Sequence, residues 1–86
     1  MEGMSTPAFT EQAIKKFAIK WSIEYFEVAR ADQRYIRVDH FSKISEEGPG
    51  SLAEWELRIW YTEDDYAYVY IKVGNNNELE VTQVDY

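Results

Sequence analysis

The side chains that could do chemistry in this sequence are few. His40, the only histidine, is a candidate general base, a role that needs an orienting carboxylate and a pocket. Alternation along its segment sets Asp39 on the opposite face, and a histidine so placed reads more simply as a satisfied residue at the core margin. Glu54 and Glu56 would point the same way on one strand, near Arg58 and Trp60. That set suits acid–base work or a sugar ligand; its plainer reading is cross-strand pairing with Arg37 or Lys72. Glu63-Asp64-Asp65 lacks the spaced acids, the glycine and the closing glutamate of a calcium loop, and reads as a solvated turn. The chain has no cysteine, which excludes a disulfide framework, a thiolate metal site and a cysteine nucleophile. One histidine leaves no multi-histidine metal site. With no glycine-rich phosphate loop and no nucleophile elbow, the residues predict a non-enzymatic protein with no cofactor and no metal.

Rings are what the chain has in abundance: three tryptophans, seven tyrosines and four phenylalanines in 86 residues. The elements that must position them follow from hydrophobic period. Ser5-Thr6-Pro7 reads as a helix start, a capping hydroxyl followed by proline at the first helical position. Ile14, Phe17, Ala18, Trp21, Tyr25 and Val28 then recur at helical spacing, so a helix is predicted over about 7–31. Ile19, Ile23 and Phe26 form a smaller stripe on its far side, read as covered by the chain's own loop or facing a partner. After Gln33 the period changes to two. Strands are predicted at 34–44, 52–62, 66–74 and 78–86, separated by the Gly48-Pro49-Gly50 loop, the Glu63-Asp64-Asp65 turn and a turn over Gly74–Asn77.

One helix followed by four closely connected strands predicts a single α+β domain over 1–86. Its form is one long N-terminal helix packed on a curled four-stranded antiparallel meander. Curling is expected because four strands span ~19 Å whereas a helix is ~10 Å across. In element order this outline is similar to the cystatin-like and NTF2-like architecture of a sheet wrapped on a helix. The glutamine-valine-glycine hairpin of cystatins is not present, so the resemblance implies an outline and no activity.

If the aliphatic residues Ile36, Val38, Leu57, Ile59, Val69, Ile71 and Val81 pack on the helix, alternation sends a second set the other way. That set is Tyr35, Arg37, Phe41, Arg58, Trp60, Tyr66, Tyr68, Tyr70, Lys72, Val84 and Tyr86. An outer sheet face is ordinarily polar; rings on this scale mark an interaction surface. Cross-strand pairing accounts for one or two such rings, and an interface accounts better for the whole patch. A bulge would swap the faces of a strand, a slip that the aliphatic second and third strands resist. The leading expectation is therefore a protein-interaction module that associates with a second copy of itself through Tyr35, Arg37, Phe41, Arg58, Trp60, Tyr66, Tyr68, Tyr70 and Tyr86. The alternative is a small-ligand or carbohydrate pocket between helix and sheet, lined by Trp21, His40, Trp55 and Tyr61. A further alternative is an acidic inhibitor or regulator that occupies a basic site on another protein.

Charge weighs among these. The chain carries nine bases and sixteen acids, a net −7, which argues against nucleic acid and anionic membranes as partners. Residues 1–31 hold four bases and four acids, so the deficit belongs to 32–86. On the aromatic face, Arg37, Lys43, Arg58 and Lys72 stand against Asp39, Glu54, Glu56, Glu78 and Glu80. A near-balanced face with an acidic rim suits another protein better than a polyanion. No secretory leader and no apolar run of ~20 residues is legible, and the reading is a cytoplasmic protein.

Overall fold

Thr10 starts the helix. Its backbone is extended, and its side-chain oxygen accepts a hydrogen bond from the Ala13 amide at 3.0 Å, which satisfies one of the free amides of a helix N-terminus. Phe9 before it and Ile14 after it occupy the two positions of a hydrophobic staple; Ile14 belongs to the core and Phe9, partly buried, packs against it. The computed structural model describes residues 9–45, 53–74 and 78–86. The expected start at Ser5-Thr6-Pro7, the Gly48-Pro49-Gly50 loop and the Asn75–Asn77 turn lie outside them. The helix, α1 (Glu11–Tyr25), has 15 residues, and at 1.5 Å per residue it is about 22 Å long. It is short where a long one was expected.

What stops it is a cap with an unusual residue. The Val28 amide donates to the Ile23 carbonyl at 3.0 Å and the Glu27 amide to the Glu24 carbonyl at 3.3 Å, the two bonds of a Schellman motif. The motif requires a left-handed residue, normally glycine, and here Glu27 takes it at φ 53°. Val28, which fits the helical period, is therefore the apolar residue that follows a finished helix. A 3-10 helix, Arg30–Tyr35, comes next, so Tyr35 precedes the first strand and does not belong to it.

Four strands follow: β1 (Arg37–Ser45), β2 (Glu54–Trp60), β3 (Tyr66–Val73) and β4 (Leu79–Asp85). They pair antiparallel in sequence order. The α+β architecture is as expected, with one helix packed on a four-stranded antiparallel sheet. Alternation holds fully in the two central strands. Trp55, Leu57 and Ile59 of β2 and Ala67, Val69 and Ile71 of β3 are buried, with Ile14 and Ala18 of α1 completing the core above them. Ser22 continues that helix line, fully buried and with no hydrogen-bond partner for its hydroxyl among the described residues.

Alternation breaks in the edge strands, which carry extra residues. Val38 pairs Ile59 and His40 pairs Arg58, leaving Asp39 as a bulge; Lys43 pairs Trp55 and Ser45 pairs Glu54, leaving Ile44 as another, about half exposed. In β4, Gln83 pairs Tyr70 and Val81 pairs Ile71, leaving Thr82. Each bulge exchanges the faces beyond it. His40 moves to the outer face, whereas Phe41 joins the core side with Lys15 over its ring at 5.7 Å. Lys43 pairs with an inward-facing residue and leaves the outer set. Val84, paired with Val69, and Tyr86 turn toward the helix. The helix packs chiefly on β1, β2 and β3, so Leu79, Val81 and Val84 of β4 remain half-exposed.

Candidate functional site

The register arranges the outer face in four rows that cross the strands. Arg37, Trp60 and Tyr66 form the first. His40, Arg58, Tyr68 and Asp85 form the second, and Ser42, Glu56, Tyr70 and Gln83 the third. Ser45, Glu54, Lys72 and Glu80 form the fourth. The bulge at Asp39 is what binds the first two rows together. Arg58 Nε donates to Asp39 Oδ1 at 2.6 Å and Nη2 to Oδ2 at 3.1 Å, and the Trp60 indole donates to the same Oδ2 at 2.9 Å. A bulged residue points where no ladder neighbour competes, which lets one carboxylate reach both partners. The bidentate geometry fixes the orientation of the guanidinium, and its Cζ lies 5.6 Å from the Tyr66 centroid.

The rings are packed edge against face. Trp60 and Tyr66 lie 4.9 Å apart, Tyr66 and Tyr68 6.0 Å apart and nearly perpendicular, and His40 sits 6.3 Å from Tyr68. Arg37 stacks on the free side of Trp60, 4.4 Å from its centroid. In the third row, Glu56 accepts from the Tyr70 hydroxyl at 2.7 Å through one oxygen and lies 3.0 Å from His40 Nε2 through the other. An ionised carboxylate only accepts, so that ring nitrogen carries the proton. Thr82, the β4 bulge, reaches Glu54 at 3.3 Å and ties the edge strand to the fourth row.

This network sets the charge states. The hydrogen bond from Arg58 is the main cause that holds the Asp39 carboxyl below the usual carboxylate range, with the Trp60 bond adding to it. Arg58 is raised in turn, first by Asp39 and then by Tyr68. Glu56 is lowered chiefly by the Tyr70 hydroxyl and next by His40. Tyr70, as donor to a carboxylate, is pushed up to about 12. The face thus joins rings and paired charges in one network of hydrogen bonds and ring contacts.

Of the nine residues expected on this face, Arg37, Arg58, Trp60, Tyr66, Tyr68 and Tyr70 are brought together. Tyr35 lies in the 3-10 helix, where its hydroxyl accepts from Arg34. Phe41 and Tyr86 are on the other side. Tyr86 closes an aromatic cluster at the end of the helix. Its hydroxyl donates to Tyr25 at 3.2 Å and its ring meets Phe26 edge-on, while Phe26 stacks on Tyr61 at 4.0 Å. That contact covers part of the second helical stripe from within the chain. Alternation left His40 out of the outer face; Asp39 it placed there correctly but without a role.

The four residues expected to line a helix–sheet pocket do not meet. Trp55 is buried in the core, Tyr61 is stacked on Phe26, and His40 is on the far side of the sheet. Trp21 stacks on Tyr25 and borders an open depression of about 230 Å³ on the helix with Phe17, Lys20 and Glu24. Among the described residues no cluster of three or more histidine, cysteine or acidic side chains could hold a metal ion. No helix among them is long and apolar enough to cross a membrane. No protein-family model, no curated protein and no solved structure matches the chain, so the cystatin-like outline remains a likeness of element order.

Proposed function

We propose that this chain is a non-enzymatic interaction module that forms a homodimer by packing the outer faces of two sheets together. One observation carries the reading. Among the described residues nothing packs over the outer face, yet that face holds Trp60, Tyr66, Tyr68 and Tyr70 already oriented by hydrogen bonds and ring contacts. Rigid aromatic and arginine side chains are what dominates binding energy at interface centres, and orientation before contact lowers the entropic cost of association. A second copy is the occupant that the charges favour. Arg37, Arg58 and Lys72 are interspersed with Asp39, Glu54 and Glu56, so the face complements its own kind, as a two-fold interface requires.

The face is small, and its area bounds the class of interface without setting its affinity. Four strands of about seven residues cover roughly 19 by 23 Å, about 440 Å² in projection on each copy, the size of a weak, transient interface. Association in the micromolar range is the expectation. Light scattering after gel filtration, run from low to high micromolar chain, tests it: a rising fraction of dimer is expected, and a monomer throughout overturns the proposal. Tyr68→Glu places a charge at the centre of the patch and should shift the protein to monomer with its circular dichroism unchanged. A variant that unfolds instead would mean that these rings belong to the fold and not to an interface.

A further inference from the structure

Trp60 is held from three directions. Arg37 lies over its ring with Cζ 4.4 Å from the centroid, Tyr66 stands 4.9 Å away on the next strand, and Asp39 Oδ2 accepts from its indole at 2.9 Å. Arg37 and Tyr66 are its neighbours in the first row. Asp39 belongs to no row. It is the extra residue between Val38 and His40 on an edge strand, and it enters the face from the margin.

Most of the bonding capacity of this carboxylate is committed within the chain. An ionised carboxylate offers about four acceptor sites. Asp39 uses three, one on Oδ1 for Arg58 Nε and two on Oδ2 for Arg58 Nη2 and the Trp60 indole. Little of it is left for a partner. Arg58 and Trp60, in contrast, are of the residue types that dominate binding energy at interface centres. Both side chains rotate about several bonds, and Asp39 ties each to the other. Among the described residues Asp39 is the one acid paired with Arg58 and the one acceptor of the Trp60 N–H; the other hydrogen bond of Arg58, to the Tyr68 hydroxyl, is long at 3.4 Å.

Building on the homodimer reading, we infer that Asp39 is a positioning residue of the interface. It acts on affinity through Arg58 and Trp60, by holding both in the orientation that the second copy meets, and not through a contact of its own. Orientation before contact lowers the ordering cost of association. The role is the same however one copy is rotated against the other, since it is exercised within each chain.

Double-mutant cycles on the dimer test this. Asp39→Asn keeps the size of the side chain but cannot form the bidentate ion pair. It should raise the dissociation constant roughly tenfold, with circular dichroism unchanged. Arg58→Met and Trp60→Phe each remove one of the two donors. In either background the effect of Asp39→Asn should fall to about threefold or less. A second measurement needs no Asp39 variant. Of the three tryptophan indole N–H signals in the NMR spectrum, Trp60→Phe identifies one. In dilute, monomeric parent that proton should exchange with solvent more slowly than in a tryptophan peptide, because its acceptor is already in place. Exchange as fast as in the peptide overturns the inference. If the parent dimerises but Asp39→Asn leaves its dissociation constant unchanged, or acts in full in both backgrounds, the positioning role is overturned and the dimer stands. A parent that remains monomeric overturns the dimer and this inference together.

Discussion

The central strands β2 and β3 and the edge strands β1 and β4 meet different constraints, and the sheet treats them differently. β2 and β3 pair with each other without a single shift of register, and their inward residues are almost entirely buried under the helix. All three bulges fall on edge strands. A slip in β2 or β3 would turn Arg58 or Glu56 into the core and Leu57 out of it, a loss of several kcal/mol. An edge strand is hydrogen-bonded on one side only, so an extra residue disturbs one ladder. Irregular edges also resist pairing with other chains. The difference shapes the outer face, since two of the three bulged residues, Asp39 and Thr82, reach side chains of the central strands.

The largest effect should come from the centre. Leu57→Ala removes a side chain with no exposure at all and should lower stability by about 2–5 kcal/mol. Val84→Ala, on the half-covered β4, should cost about 1 kcal/mol or less. Urea unfolding of the two variants measures the contrast at unchanged slope. Equal losses would mean that the helix covers the edge as fully as the centre.

The same contrast governs what the sequence made legible. In β2 and β3 a strict two-residue period is forced by burial, so every inward and outward residue from Glu54 to Trp60 and Tyr66 to Val73 can be read from the pattern. In β1 and β4 the pattern is there but departs from period two. Val38-Asp39-His40-Phe41 and Val81-Thr82-Gln83-Val84 each place two polar residues between apolar ones. Taken as plain alternation, they misplace His40, Phe41, Val84 and Tyr86; taken as a bulge signature, each spacing locates the extra residue. The helix end had no such signal, because the left-handed residue is a glutamate and the apolar period runs past it to Val28. Six of nine face residues were readable, and the hydrogen bonds that orient them were not, since a carboxylate's partner depends on register.

A smaller effect is expected from pH, with an acid limb that edge and centre share and an alkaline limb to which Tyr70 contributes from the centre. Asp39 on the edge and Glu56 in the centre are both held below the usual carboxylate range. Each therefore contributes stability that is present above that range and is lost as pH falls through the lower folded value. Tyr70 is raised to about 12, so its contribution is complete below the ordinary tyrosine value of about 10 and is lost as pH rises through 12. Removing the charge of its acceptor with Glu56→Gln should remove the share of Tyr70 from the late step in tyrosinate absorbance, leaving that of Tyr86, which its bond to Tyr25 also raises, and should weaken the acid limb. Asp39→Asn should weaken the acid limb and leave the alkaline step in place. If Asp39→Asn removed the share of Tyr70 too, edge and centre would be one coupled unit.

The smallest effect concerns how the chain leaves the helix for the first edge strand. A left-handed side chain with a Cβ is strained by roughly 1–2 kcal/mol, and Glu27 bears that strain while its carboxylate is exposed and makes no bond among the described residues. Glu27→Gly relieves the strain but frees the unfolded chain, and the net gain should be about 0.5–1 kcal/mol, a few degrees in Tm for a domain of this size. The Schellman bonds from Val28 and Glu27 fix where α1 stops and where the 3-10 helix begins to carry the chain to Arg37. A more stable cap should therefore leave the register of β1 untouched. If Glu27→Gly instead lowered the melting temperature, the glutamate would be contributing a contact that outweighs its backbone strain. The helix end would then belong with the edge strands, as a place where an irregular residue is kept for what its side chain reaches.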